Sequence, residues 1–209
     1  MARFFNPEKG IWPIFGFVGD VVLLSLLWTV FSAPLVTAGA SSAALYDTAV
    51  SCFRRKEQDY LRRFFSTFKR EFKNALLPTL LWALILGGFY MLFRRLAAGF
   101  EGGAGLAAAS VLSALLLLPL GVCCWVFPLL SRFTLGFAQL NGNALRLALG
   151  HILSTFAMAL GCALSLWLTL RMAFLPLFFL PCLLALWCAL FMEPVFRQYE
   201  HPQEPDGQA

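Results

Sequence analysis

The residues that could do chemistry in this chain are few and scattered. Asp20, His151, Arg171 and Glu193 are ionisable and lie within or at the edges of apolar stretches. A charge in lipid is costly, so such positions are where proton relays, ion sites or substrate contacts would be sought. Their placement argues for something simpler. Asp20 falls near the start of the first apolar run and the other three at the ends of later runs. All four reach lipid headgroups and read as interfacial anchors. Asp47 differs: it sits in a small-residue segment just before a basic run, and is expected to pair with a basic neighbour there. Acid–base catalysis has few players, because the only histidines are His151 and His201 and no carboxylates group at one depth. No phosphate-binding glycine loop, HExxH helix or nucleophile elbow occurs. Of the six cysteines, five lie inside apolar runs, where the thiol behaves as a small hydrophobe. No CxxC pair exists, and the adjacent Cys123 and Cys124 point in different directions on a helix, which is poor geometry for a shared metal. The expectation is a protein that is not an enzyme, with no catalytic residue, no cofactor and no metal.

The elements that carry these residues are set by composition. Apolar residues make up 60% of the 209 and charged residues 13%, against roughly 45–50% and about 25% in soluble domains. A soluble fold of this size has too much surface to hide that apolar fraction. The pattern predicts an all-α, polytopic membrane helix bundle of about five spans, near 14–36, 75–93, 106–130, 151–170 and 174–192, each close to the roughly 20 residues a helix needs. The first run is too long for the ~7–15 residue core of a cleaved signal peptide and is read as a retained span. Pro119 and Pro128 should kink the third span, and Pro176 and Pro181 lie in the first half of the fifth. Ala157, Gly161 and Ser165 form a small-residue row suited to helix packing. Residues 1–192 read as one membrane domain, and 193–209 as a polar, disordered tail.

Charge is concentrated in one place. The net charge is +5, and the segment Arg54–Lys73 alone accounts for it. Within 38–73 a short small-residue helix is expected first, then an amphipathic one. Tyr60, Phe64, Phe68 and Phe72 recur every four residues with Leu61 and Phe65 beside them, while Arg62, Arg63, Lys69, Arg70 and Lys73 fall mainly on the other side. Such a helix lies in the membrane interface, drawn by anionic headgroups, or docks on the protein's own bundle. Replacing Phe64, Phe68 and Phe72 with Ser should release it from the membrane or partner and leave the bundle folded. The continuous aromatic face argues against a nucleic-acid partner. With the N-terminus outside and the C-terminus cytoplasmic, eleven basic residues lie inside and five outside, as the positive-inside bias requires.

The run Pro34-Leu-Val-Thr37-Ala-Gly39-Ala-Ser-Ser-Ala-Ala44-Leu-Tyr46, directly after a first span, resembles the N-terminal signature of the YesL family of bacterial membrane proteins. The following Phe64-Phe65-x-x-Phe68-Lys69-x-x-Phe72-Lys73 is similar to that family's Phe-rich basic helix. The likeness is strongest over Asp20–Lys73. Many members carry Asn in the first span upstream of the proline, and Ser25 stands in the apparent place here. The resemblance implies a multi-spanning protein of the bacterial cell membrane whose function is uncharacterised. It also implies a supporting role in carbohydrate uptake, beside a sugar ABC transporter, and transfers no catalytic residue. Pro34, Thr37, Gly39, Tyr46, Phe64, Phe65, Phe68, Lys69, Phe72 and Lys73 are thus the expected interaction or packing residues. The alternative is a small transporter or channel in its own right, which four prolines in the third and fifth spans would suit and the scarcity of polar residues in the spans would not.

Overall fold

Pro34 has no amide hydrogen to continue a helix, and the first helix, α1 (Trp12–Ser32), stops just before it. A 3-10 turn at Leu35–Thr37 follows, closed by Thr37 N–H donating to Pro34 O at 3.0 Å. The chain then enters α2 (Ala38–Arg55), α3 (Tyr60–Gly99), α4 (Gly103–Arg132), α5 (Phe137–Gly150), α6 (Ile152–Met172), a 3-10 turn at Leu175–Phe178, and α7 (Leu180–Glu200). The structure is a computed structural model and describes residues 12–55, 59–99, 103–133, 135–172 and 175–200.

The outside of this bundle is oil. Leu153 is 85% exposed, Leu170 78% and Leu84 76%, and they stand among many other exposed apolar side chains on α3, α4, α6 and α7. A surface of that kind is stable against lipid, not water. Among the described residues, three stretches are long and apolar enough to cross a membrane: Tyr60–Arg95, Ser110–Arg132 and Ile152–Met172. Phe17–Ser32 and Leu180–Phe196 are shorter apolar stretches within α1 and α7. The chain is a helical membrane protein with several apolar helices.

The segment 38–73 is organised differently from the expected cytoplasmic loop. Its small-residue part, α2, is the most buried element: Gly39–Ser41 and Ala43–Ser51 are all buried. It packs against α1, α3, α4 and α7. Ser, Thr and Asp side chains cannot face lipid cheaply, and small side chains let neighbouring helices come close, so this helix belongs at the centre. Gly39 marks the closest approach. A Cβ there would lie 1.9 Å from Thr79 Oγ1 and 2.5 Å from Phe127. The aromatic–basic part is not a separate interfacial helix. It is the first third of α3, a single helix of 40 residues and about 60 Å, whose later part is the second span.

Helices α4 and α6 begin and end close to the expected third and fourth spans. Pro119 and Pro128 sit inside α4, and Pro78 inside α3. The last span is displaced. Pro176 lies in the 3-10 turn and Pro181 in the first turn of α7, where a missing amide hydrogen costs little. The helix therefore starts after the expected residue 174. It also continues through Glu200, so residues 193–200 are not the disordered tail that their polarity suggested: Glu193, Val195 and Phe196 are buried. Residues 201–209 of that tail, with His201, lie outside the described residues, as do 56–58 of the basic segment and 100–102 of the glycine-rich connection. The mixed segment after Arg132 folds as α5, which buries Leu140, Ala144 and Ala148.

The fit at Gly39 makes a direct prediction. Gly39→Ala should lower the thermal midpoint of the detergent-purified protein by several degrees, since overpacking costs about 1–3 kcal/mol. Gly19→Ala, with nothing within 4 Å of the new Cβ, is the control and should not. Equal midpoints for the two variants would contradict the close α2–α3–α4 approach.

Candidate interaction surface

Polar groups brought into an apolar bundle must find partners there. In α2, Ser42 accepts from Trp28 Nε1 at 3.1 Å and Ser41 pairs with Ser32 at 2.7 Å, both across to α1. Asp47 faces α3. It accepts from Arg63 Nε at 2.9 Å, Arg63 Nη2 at 3.1 Å and Thr67 Oγ1 at 2.8 Å. A two-pronged guanidinium–carboxylate contact of this kind fixes direction as well as distance. The basic neighbour expected for Asp47 is thus Arg63.

Two more ion pairs extend the pattern. Glu71, buried on α3, accepts from Arg70 Nε at 2.6 Å, and Arg70 Nη2 donates to Ser131 O on α4 at 3.2 Å. Glu193 of α7 pairs with Arg132 of α4, and Tyr46 of α2 donates to the same carboxylate at 3.5 Å. Glu193 is therefore not a headgroup anchor. It is a buried carboxylate that joins α2, α4 and α7, which explains why α7 runs on past it. These three pairs form a polar layer at one end of the bundle, where the start of α3, the end of α4 and the later part of α7 meet.

The other anchor positions behave less uniformly. Arg171 is exposed in the last turn of α6, as an interfacial residue should be. Asp20 is half-buried on α1. His151 sits at the α5–α6 junction beside the Trp125 ring, with its Nδ1 buried and without a hydrogen-bond partner among the described residues. Ser25 is fully buried, and its hydroxyl accepts from Cys182 N–H at 3.2 Å, so α1 caps the open start of α7. The small-residue row on α6 does pack closely. A Cβ at Gly161 would meet Trp187 of α7 at 3.0 Å, and Trp187 Nε1 donates to Ala157 O at 3.3 Å. Three thiols from α4, α6 and α7 also come together, with the Cys124 and Cys162 sulfurs 3.3 Å apart and Cys188 close by. Adjacency in sequence, at Cys123–Cys124, concealed that convergence. No group of three His, Cys, Asp or Glu among the described residues is arranged to hold a metal ion.

The expected interaction residues divide into two sets. Thr37 holds the turn by donating to Pro34 O at 2.9 Å and to Phe31 O. Gly39 and Tyr46 are interior. Phe64 has no exposed surface, and Phe68 and Phe72 pack on the core beside it. Phe31 of α1 closes this cluster, with ring centroids 6.0 Å from Phe64, 5.5 Å from Phe65 and 5.1 Å from Phe68. The aromatic row therefore docks on the protein's own bundle. Serines at Phe64, Phe68 and Phe72 would unpack the bundle and not merely release a helix. Pro34 and Phe65 stay exposed, and so do Arg62, Ser66, Lys69 and Lys73 on the opposite face. Beside it lies an open cleft of about 360 Å³ lined by Asp47, Asp59, Arg62, Arg63, Ser66, Thr67 and Arg70.

The buried pair between α4 and α7 carries a test. Glu193→Ala removes the buried carboxylate that Arg132 faces, a side chain only 10% exposed, and should cost about 3–5 kcal/mol of stability. Replacing Arg132 and Glu193 together with Met should bring the thermal midpoint back toward wild type. A double variant as unstable as the single one would contradict the pairing.

Comparison with known proteins places a match on these same elements. Residues 21–93 match the model of the family described as a protein of unknown function, DUF624. That region runs from α1 through α2 into the span of α3. No curated protein and no solved structure matches the chain.

Proposed function

We propose that this chain is a non-enzymatic accessory protein of the bacterial cell membrane, whose working surface is the cationic face of α3. The observation that carries this reading is the division of labour on that helix. Its aromatic face is consumed internally by Phe31, Phe64, Phe68 and Phe72. Its opposite face leaves Arg62, Lys69 and Lys73 in the open, while two of the carboxylates nearby, Asp47 and Glu71, are engaged by Arg63 and Arg70. Unpaired surface cations steer and orient an acidic partner. They also hold an adjoining anionic lipid surface.

In this reading five helices span, with the N-terminus outside and the C-terminus in the cytoplasm. The ends bearing Arg62, Lys69, Lys73, Arg132 and Arg146 then all face the cytoplasm, in line with the charge bias of membrane proteins. The partner is a sugar ABC transporter, and the support for that choice is the family resemblance of the Pro34–Lys73 segment. The work of the protein is to dock and support that transporter, with no chemistry of its own.

Tagged protein should bring the permease or ATP-binding subunits of a sugar ABC transporter with it from native membranes. The charge-reversed variant R62E/K69E/K73E, altered only at exposed positions, should fold normally and lose those subunits at least tenfold. If wild type retains no such subunit, the transporter assignment fails. If the variant retains them undiminished, the α3 face is not the docking surface.

A further inference from the structure

A second cavity lies away from the α3 face, among the ends of α4, α5, α6 and α7. It encloses about 370 Å³, within the roughly 300–1,000 Å³ typical of small-molecule sites. Its walls are apolar, with Leu129 of α4, Phe133, Leu147 of α5 and Phe196 of α7. Two polar side chains from one turn of α5, Asn143 and Arg146, complete the lining. His151 is on the wall too, and its Nδ1 has no hydrogen-bond partner among the described residues.

We propose that this cavity holds one acyl chain of an anionic membrane phospholipid, with the headgroup phosphate on Arg146 and Asn143. Three observations combine. The apolar walls suit a hydrocarbon chain better than water. Arg146 is exposed and makes no ion pair among the described residues, and a guanidinium fork matches phosphate oxygens. The site lies where three apolar helices end, which is headgroup depth. Gly150, on its wall, is flanked along the chain by Leu149, Ile152 and Leu153, all well exposed. The cavity thus adjoins the lipid-facing skin, and a chain can enter sideways from the bilayer. This inference is independent of the partner proposed for α3.

The test is native mass spectrometry of the full-length protein after exhaustive detergent washing. It is titrated with phosphatidylglycerol and with phosphatidylcholine of the same chains. One phosphatidylglycerol should be retained per protein, with about fivefold preference over phosphatidylcholine, the discrimination one basic residue supplies. Arg146→Gln should abolish that preference. Leu147→Trp should fill the cavity and abolish retention of both lipids. Because Arg146 is on the surface, Arg146→Gln folds even if Leu147→Trp does not. The variant R62Q/K69Q/K73Q should keep the lipid, which separates this site from the α3 face. Equal retention of the two phospholipids, an unchanged Arg146→Gln, loss on the α3 variant instead, or retention of a free fatty acid alone would each overturn the proposal.

Discussion

The fold depends on where a polar helix can go in an oily protein. Helix α2 carries Ser41, Ser42, Asp47, Thr48 and Ser51, and such groups are expensive against lipid. Placed at the centre, it is screened by α1, α3, α4 and α7. That position dictates much else. Gly39 must lack a side chain for Thr79 and Phe127 to fit. Asp47 must meet a fixed cation, which Arg63 supplies from α3. Tyr46 must reach a polar atom, which Glu193 supplies from α7. Even the direction of α3 follows, because its first third runs antiparallel along α2 before it continues as a span.

The same constraint separates packing from recognition. A helix that is aromatic on one side and basic on the other invites the idea of a membrane-surface anchor. Here the aromatic side is part of the core, since Phe64 is fully buried and Phe31 closes over it. The cations are then held outward by a rigid scaffold and not by a floating loop. Arg63, partly buried, and Arg70, at the surface, are held by the carboxylates of Asp47 and Glu71, while Arg62, Lys69 and Lys73 are exposed. One helix thus contributes both structural and free charges, distinguished only by which neighbours α2 and α4 place beside them.

Much of the architecture was legible in the sequence because hydropathy reports it directly. The spans carried by α4 and α6 follow from uninterrupted apolar runs, and the Asp47 pairing from a lone acid beside a basic segment. What was not legible depends on contacts between distant segments. The burial of α2 is invisible in its composition, which suits a loop as well as a core. The extension of α7 past Glu193 rests on Arg132, sixty-one residues away. Hydropathy alone places Pro176 and Pro181 within a span, but they shape its entry, where Ser25 supplies the cap. Helix α5 did leave a signal in Leu140, Ala144 and Ala148, spaced by four residues. Of the four ionisable residues, Arg171 is exposed at the end of α6, while Glu193 is buried in an ion pair.

The central claim is that α2 lies inside the bundle while the basic face of α3 lies outside it. Thiol labelling from the cytoplasmic side of inverted membrane vesicles tests this most directly. In a variant with the six native cysteines replaced, Lys69→Cys should react quickly with a membrane-impermeant maleimide. Thr48→Cys, at a fully buried position of α2, should stay unreacted until the protein is denatured. Comparable labelling of the two positions in the native protein would contradict the account.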